Sequence, residues 1–304
     1  MALTLLHALR EMRDPDLPMA GERSRAPARR VVSELAMIGA FYLAYSAARN
    51  RFGSAYVSPA VAFENAHSVI GIERSVGLFF ESELQAFFLR WQPFVWSLNV
   101  FYGTFHFLVT GATLIWLFMK LPDQYRRWRN ALAATTALAI IGFSLFPVMP
   151  PRLLADCGPY GACAGPALVD TIAEIGGLWT FDSRAMESVS NQYAAVPSLH
   201  VAWSLWCAAV VVSRWPHRWG RVVAISYTLA TLLTVLVTAN HYWLDAVFGA
   251  LALAGGAAVA GLIERCSVTT SMAGAGIDLD RAPEVPTTGS AQRAPEITSD
   301  LPGP

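Results

Sequence analysis

Residues 222–263 read VVAISYTLATLLTVLVTAN-HYWLD-AVFGALALAGGAAVAGLI. Two apolar runs, 222–240 and 243–263, meet at His241-Tyr242-Trp243-Leu244-Asp245. Each run matches the ~20 apolar residues a helix needs to cross a ~30 Å hydrocarbon layer. Reading the stretch as a pair of membrane-crossing helices decides the fold. The same rule applied outward finds further runs at 31–48, 94–119, 130–147 and 197–213.

Composition agrees with that reading. The 304-residue chain is 54% hydrophobic and 14% charged, where soluble domains carry about 25% charged residues. Its formal net charge is zero, so it lacks the basic footprint of a nucleic-acid binder. Residues 1–30 hold six arginines, acidic residues and prolines but no apolar core of signal-peptide type, and read as a cytoplasmic tail. In 55–92, the pattern Phe79, Phe80, Leu84, Phe87, Phe88 predicts short helices lying in the membrane interface. Residues 267–304 are rich in Thr, Ser, Pro and Ala, cannot bury enough surface to offset chain entropy, and read as a disordered tail. The expected fold is therefore all-α: a polytopic six-helix membrane bundle over 31–266, with short interfacial helices.

Lys and Arg in the connections set the orientation. With the N-terminus in the cytoplasm, Lys120, Arg126, Arg127, Arg129, Arg214, Arg218, Arg221 and Arg265 join the tail arginines inside. The outer connections hold the sparser Arg49, Arg51, Arg74, Arg90, Arg152 and Arg184. This places both termini in the cytoplasm and the protein in the cytoplasmic (plasma) membrane. Three polar sites then share the outer face: Arg152, Pro197-Ser198-Leu199-His200, and His241 with Asp245.

Each site has an ordinary reading and a chemical one. Pro197 at a helix start leaves free N–H groups and a partial positive charge, a seat for phosphate to which Ser198 adds a hydroxyl; it is equally an ordinary helix start. His241 and Asp245 are spaced i, i+4 on one helix face, where the carboxylate fixes the imidazole tautomer; a structural pair is the alternative. Ionisable residues inside a membrane are costly and are functional by default. Arg152 offers a planar fork for bidentate phosphate binding, or a contact to a lipid headgroup. No Glu or Cys cluster accompanies the histidines, so no metal site is expected.

Taken together, Pro151-Arg152, Pro197-Ser198-Leu199-His200 and His241 to Asp245 resemble the ordered motifs of the phosphatidic acid phosphatase type 2 superfamily. Residues 146–154, 193–200 and 238–242, Leu199 in place of the phosphatases' glycine, and Tyr102-Gly103-Thr104-Phe105-His106 are similar to the inositol phosphorylceramide synthase branch. The resemblance covers roughly 31–263. It implies a phospholipid substrate, transfer to water or an alcohol, and no cofactor. His241 would form a phosphohistidine, Asp245 would orient it, and His200 would serve as acid and then base. Arg152 and Ser198 would hold phosphate oxygens. Leu145 and Val235 stand where the phosphatases carry a lysine and an arginine, so two cations of the cradle are missing. His106, Asn240, Tyr193 and Arg184 are the candidate substitutes. The rival from another class is a non-catalytic lipid transporter or lipid-binding membrane protein.

Cys157 and Cys163 lie in the long outer loop, where a disulfide is permitted. Two free thiols are the other reading. A mass shift on alkylation that requires prior reduction distinguishes the two.

Overall fold

The computed structural model describes residues 27–52, 57–154, 168–178, 191–215 and 217–274. Cys157, Cys163 and Arg184 lie outside the described residues, as do most of both tails. In chain order the helices are α1 (Pro27–Phe52), α2 (Pro59–Ser75), α3 (Glu81–Leu89), α4 (Gln92–Lys120), α5 (Pro122–Leu145), α6 (Thr171–Glu174), α7 (Leu199–Arg214), α8 (Arg218–Val237) and α9 (Trp243–Gly274). A 3-10 turn covers Pro151–Leu154. Among the described residues the extended pairing is one parallel bridge between Val148 and Ala194.

Each apolar run read from the sequence falls on a helix, but the runs are not equivalent. Val31–Ala48, Gln92–Lys120, Arg218–Val237 and Trp243–Cys266 are long and apolar enough to cross a membrane, four where the sequence reading counts six. The other two runs fall on α5 and α7. Asp123, Arg126, Arg127 and Arg129 crowd the first turns of α5. Helix α7 has 16 residues, about 24 Å at 1.5 Å per residue, short of a ~30 Å hydrocarbon layer. Helix α9 continues to Gly274, past residue 266 where the sequence reading ends the domain.

Helices α4, α5, α7 and α9 share one core. Leu117, Trp128, Ala131, Trp206, Val210, Leu253, Ala257 and Ala260 are buried together there. Lipid tails are as apolar as these side chains, so helices in a bilayer associate by close fit and by polar links. Helix α9 supplies the fit through Gly255 and Gly256. A Cβ on Gly256 would lie 2.5 Å from the Thr135 backbone nitrogen and 2.8 Å from its Cα. The polar links are Trp206 Nε1 donating to the Trp128 carbonyl at 2.9 Å and Trp203 Nε1 donating to Thr136 Oγ1 at 3.1 Å. Arg127 and Glu264 add an ion pair at 3.4 Å. Helix α1 stands apart: none of its apolar window is buried, and Glu34 ties it to Arg129 and Tyr125 of α5.

A second core lies over the opposite end. Ala62, Ala66, Val69 and Ile70 of α2 pack on Val148, Met149, Leu154, Ala195, Val196 and Tyr242. Hydrogen bonds fix the segment after α5 there. Asn65 Nδ2 donates to the Pro147 carbonyl at 2.8 Å, Met149 N to the Ala62 carbonyl at 3.0 Å, and Val148 N to the Tyr193 carbonyl at 2.9 Å. Tyr242 Oη donates to the Met149 carbonyl at 3.0 Å. The turn bearing Arg152 is thereby set against the α8–α9 connection.

The close approach at Gly256 has a measurable consequence. Gly256→Ala lowers stability by about 1–3 kcal/mol through overpacking. Gly261→Ala meets no atom within 4 Å and is neutral or stabilising by up to ~1 kcal/mol from helix propensity. Thermal unfolding of the two variants in detergent checks the contrast; equal midpoints would sink the close-fit account.

Candidate active site

The α8–α9 connection places the first site residue. Asn240 N and His241 N both donate to the Val235 carbonyl, at 3.0 and 3.2 Å, after Ala239 has turned the chain at φ 53°. That value lies in the left-handed region, which costs a residue with a Cβ about 1 kcal/mol. The turn delivers His241, 3% exposed, with its Nδ1 2.9 Å from the Ala195 carbonyl and 3.1 Å from Asp245 Oδ2. Both partners are acceptors, so their presence assigns the proton to Nδ1 and leaves the lone pair on Nε2. Nε2 is buried and has no hydrogen-bond partner.

Asp245 is fully buried, and its Oδ2 also accepts Tyr242 N at 2.9 Å. The i, i+4 spacing therefore works differently from the expectation of one helix face. Helix α9 begins at Trp243, so His241 lies in the turn before it. Asp245 folds back across the helix start because its carboxylate caps a backbone N–H and holds the imidazole together.

The second motif opens α7. Pro197 stands outside the helix, not in its first turn, because Ser198 takes the N-cap: its Oγ accepts Val201 N at 3.4 Å. The main chains of the two motifs are joined, with Ser198 N donating to the Asp245 carbonyl at 3.0 Å. Gly249 permits this approach, since a Cβ there would lie 2.5 Å from the Ser198 carbonyl oxygen. In the first turn of α7, the His200 ring lies 5.6 Å from that of His241, centroid to centroid. It stacks on Tyr102 at 4.2 Å and meets His106 at 4.0 Å. His200 Nε2 is buried with no hydrogen-bond partner. His106 Nδ1 is 2.9 Å from the Tyr102 carbonyl.

Arg152 completes the group. Its backbone N donates to the Ala239 carbonyl at 2.7 Å, fixing the 3-10 turn to the residue that orients His241. Its Nη1 donates to Asp170 Oδ2 at 2.9 Å. Asp170 also caps α6, accepting Ile172 N and Ala173 N at 3.0 and 3.1 Å. Gln85 holds that segment in place: its amide nitrogen donates to the Val169 and Val237 carbonyls, each at 3.0 Å. The sequence reading passed over both Asp170 and Gln85.

A cavity of about 50 Å³ lies between these elements, walled in part by Arg152, Asn240, His241, Tyr102, Asn191 and Gln192. At about 10–15 Å³ per water it admits a few waters or one small oxyanion. Of the expected phosphate-binding residues, Arg152 and Asn240 border it. Ser198, His106 and Tyr193 are not among its walls. Ser198 Oγ caps α7 as an acceptor, His106 packs on His200, and Tyr193 packs against the second core. The walls contributed by Tyr102, Asn191 and Gln192 were not expected, although the Tyr102–His106 stretch carried a signal. Leu145 is 78% exposed and Val235 is buried, and neither borders the cavity. Among the described residues no group of three or more His, Cys, Asp or Glu is arranged to hold a metal ion.

Two further carboxylates meet the start of α9. Glu81 Oε1 accepts Trp243 N at 2.9 Å, and Glu73 Oε1 accepts Leu244 N at 3.0 Å. Both are fully buried. Burial, together with the neighbouring Glu81 charge, pushes Glu73 up to about 8. Burial raises Glu81 as well.

Comparison with known proteins gives one family-level match. A family model described as the PAP2 superfamily matches residues 67–260, which include every described residue of the site. No curated protein and no solved structure matches the chain.

The left-handed turn provides a test of how the connection is held. Ala239→Gly relieves the Cβ strain and raises thermal stability by about 1 kcal/mol or less, with the site unchanged. Ala239→Val costs about 1–3 kcal/mol at the same position. Melting midpoints that rank Val above Gly would overturn the turn geometry.

Proposed function

The chain belongs to the PAP2 superfamily, and from that premise we propose that it is a membrane-embedded lipid phosphotransferase working through a phosphohistidine on His241. Membership supports a phosphatase or phosphotransferase type of function. One observation carries the finer reading: His241 Nδ1 is committed to Ala195 and Asp245, Nε2 is left buried without a partner, and the residue borders the cavity that Arg152 and Asn240 line.

The steps follow from the positions of the groups. The Nε2 lone pair attacks phosphorus, and the phosphorus–oxygen bond to the leaving alcohol breaks. That oxygen takes the proton carried by His200, whose ring lies 5.6 Å from that of His241. His200 then removes the proton of the incoming hydroxyl, which attacks phosphorus as the phosphorus–nitrogen bond breaks and returns its pair to His241. Asp245 stabilises the positive charge that the imidazole gains on attack. Arg152 and the amide of Asn240 meet the oxygens that carry the developing charge, and stabilising that charge is the main source of rate enhancement expected in such a site. Splitting one displacement into two is the gain from covalent catalysis.

The substrate is a phospholipid diester, and the acceptor is an alcohol in preference to water. The cavity walls support this: they present one guanidinium and amide donors, a cradle suited to a phosphate bearing a single charge. Transfer of an inositol-phosphate group fits the resemblance of residues 146–154, 193–200 and 238–242 to inositol phosphorylceramide synthases. Six crossings, with α5 and α7 completing the bundle, bring the cavity to the outer face of the plasma membrane. The Lys and Arg distribution supports that orientation, and α2 and α3 then lie in the outer interface.

Orthovanadate mimics the five-coordinate phosphorus and inhibits turnover on mixed phospholipid vesicles supplied with candidate alcohols. His241→Ala lowers turnover by about 10⁴-fold or more, and Asp245→Asn by about 10²–10⁴-fold. Mass spectrometry of the products separates transfer from hydrolysis. Undiminished turnover in His241→Ala would remove the phosphohistidine, and lipid movement without any product would favour a transporter.

A further inference from the structure

The Glu73 and Glu81 carboxylates are remote from the cavity walls, yet both end on the helix that carries Asp245. The first N–H groups of a helix have no partner within it. Here they are taken consecutively: Tyr242 N by Asp245, Trp243 N by Glu81 and Leu244 N by Glu73. The second oxygen of Glu73 is buried and receives no donor. Its neighbour is Glu81, itself an acceptor. The two buried carboxylates end on adjacent N–H groups, and a proton held between them satisfies the bare oxygen of Glu73. The charged groups bearing on Glu73 are Glu81 of α3 and Asp245 of α9, both acidic, and Tyr242 is the titratable neighbour from the connection.

We propose that Glu73 and Glu81 form a proton-sharing acid pair that positions the catalytic turn, holding the start of α9, and with it Asp245 and His241, in register. Both are positioning residues: they act through backbone N–H groups and touch neither substrate nor phosphorus. The pair also fastens the short helices α2 and α3 to the chemistry. Its role in catalysis rests on the phosphotransferase reading; the shared proton does not.

The proton gives the pair a pH signature. Glu73 is raised from an ordinary 4.5 to about 8, so the native chain binds this proton more tightly than the unfolded chain. Its stabilising contribution is complete below about pH 4.5 and is lost as the pH rises to about 8. Above that, two full charges repel at the helix start.

Two measurements on the full chain in nanodiscs separate the claims. The first is the thermal midpoint from about pH 5 to about pH 9 for wild type, Glu73→Gln, Glu73→Ala and the exposed control Glu64→Gln. Glutamine keeps the acceptor for Leu244 and supplies a permanent donor toward Glu81, so it imitates the protonated acid. Wild type and Glu64→Gln lose stability across this range, and Glu73→Gln loses markedly less; an identical decline in Glu73→Gln overturns the shared proton. The second is orthovanadate binding, followed by vanadium NMR, with the variants compared at equal pH. Near pH 6, Glu73→Gln binds within about twofold of wild type, and near pH 9 it binds at least about threefold tighter. Glu73→Ala binds about tenfold weaker at both, as loss of a charge-assisted hydrogen bond implies. Vanadate binding in folded Glu73→Ala that equals wild type overturns the positioning role. A wild-type chain that binds no vanadate overturns the phosphotransferase reading and the pair's role in it, and the melting profiles then still decide the proton.

Discussion

The N–H groups at the start of α9 lie in a region away from water, where Tyr242 and Asp245 are fully buried. Each one left unpaired there costs several kcal/mol. Asp245, Glu81 and Glu73 answer that demand in sequence on Tyr242, Trp243 and Leu244. Satisfying it has structural consequences well beyond the cap. Two of the carboxylates come from α2 and α3, so these short helices are drawn over the end of the bundle. The third, Asp245, must curl back over the helix start, and in doing so reaches His241 Nδ1. Unpaired backbone donors and the orientation of the His241 ring are thus met by the same group of acids.

The convergence of the three motifs is largely a main-chain matter. Arg152 N donates to the Ala239 carbonyl and Ser198 N to the Asp245 carbonyl. Backbone links of this kind do not depend on which side chain a position carries; they depend on the chain following one path. Gly249 illustrates the requirement, because any Cβ there would strike the Ser198 carbonyl. The side chains that face the cavity are held as well. Asn240 keeps its amide nitrogen on Thr238 of its own turn while bordering the cavity. Asp170 holds the Arg152 guanidinium at 2.9 Å.

Much of the scaffold was legible because its determinants are local. Twenty-residue apolar runs and a motif such as Pro197–His200 can be seen in one window of sequence. What escaped reading depends on contacts between distant segments. Glu73 and Glu81 looked like ordinary polar members of an interfacial stretch, since nothing near them in sequence reveals that they end on residues 243 and 244. Asp170 sits in a segment without apolar periodicity, and only the fold brings it to Arg152. The place of Pro197 differs by two positions from that expectation, because proline at a helix start is common enough to hide that Ser198 had the stronger claim on the cap. Span counting differed for a physical reason: apolar runs mark α5 and α7 as two of six crossings, but α5 opens with charges and α7 is short, so four helices are long and apolar enough to cross.

Helix α1 has an unburied apolar window and a polar tether, Glu34 with Arg129 and Tyr125. A helix whose apolar surface asks nothing of its neighbours can be stable in lipid before they exist. Among the described residues α1 comes before the other three membrane-length helices, and polar contacts join it to α5. The residues that border the cavity all lie later in the chain, so α1 serves the fold without contributing a wall to the candidate site.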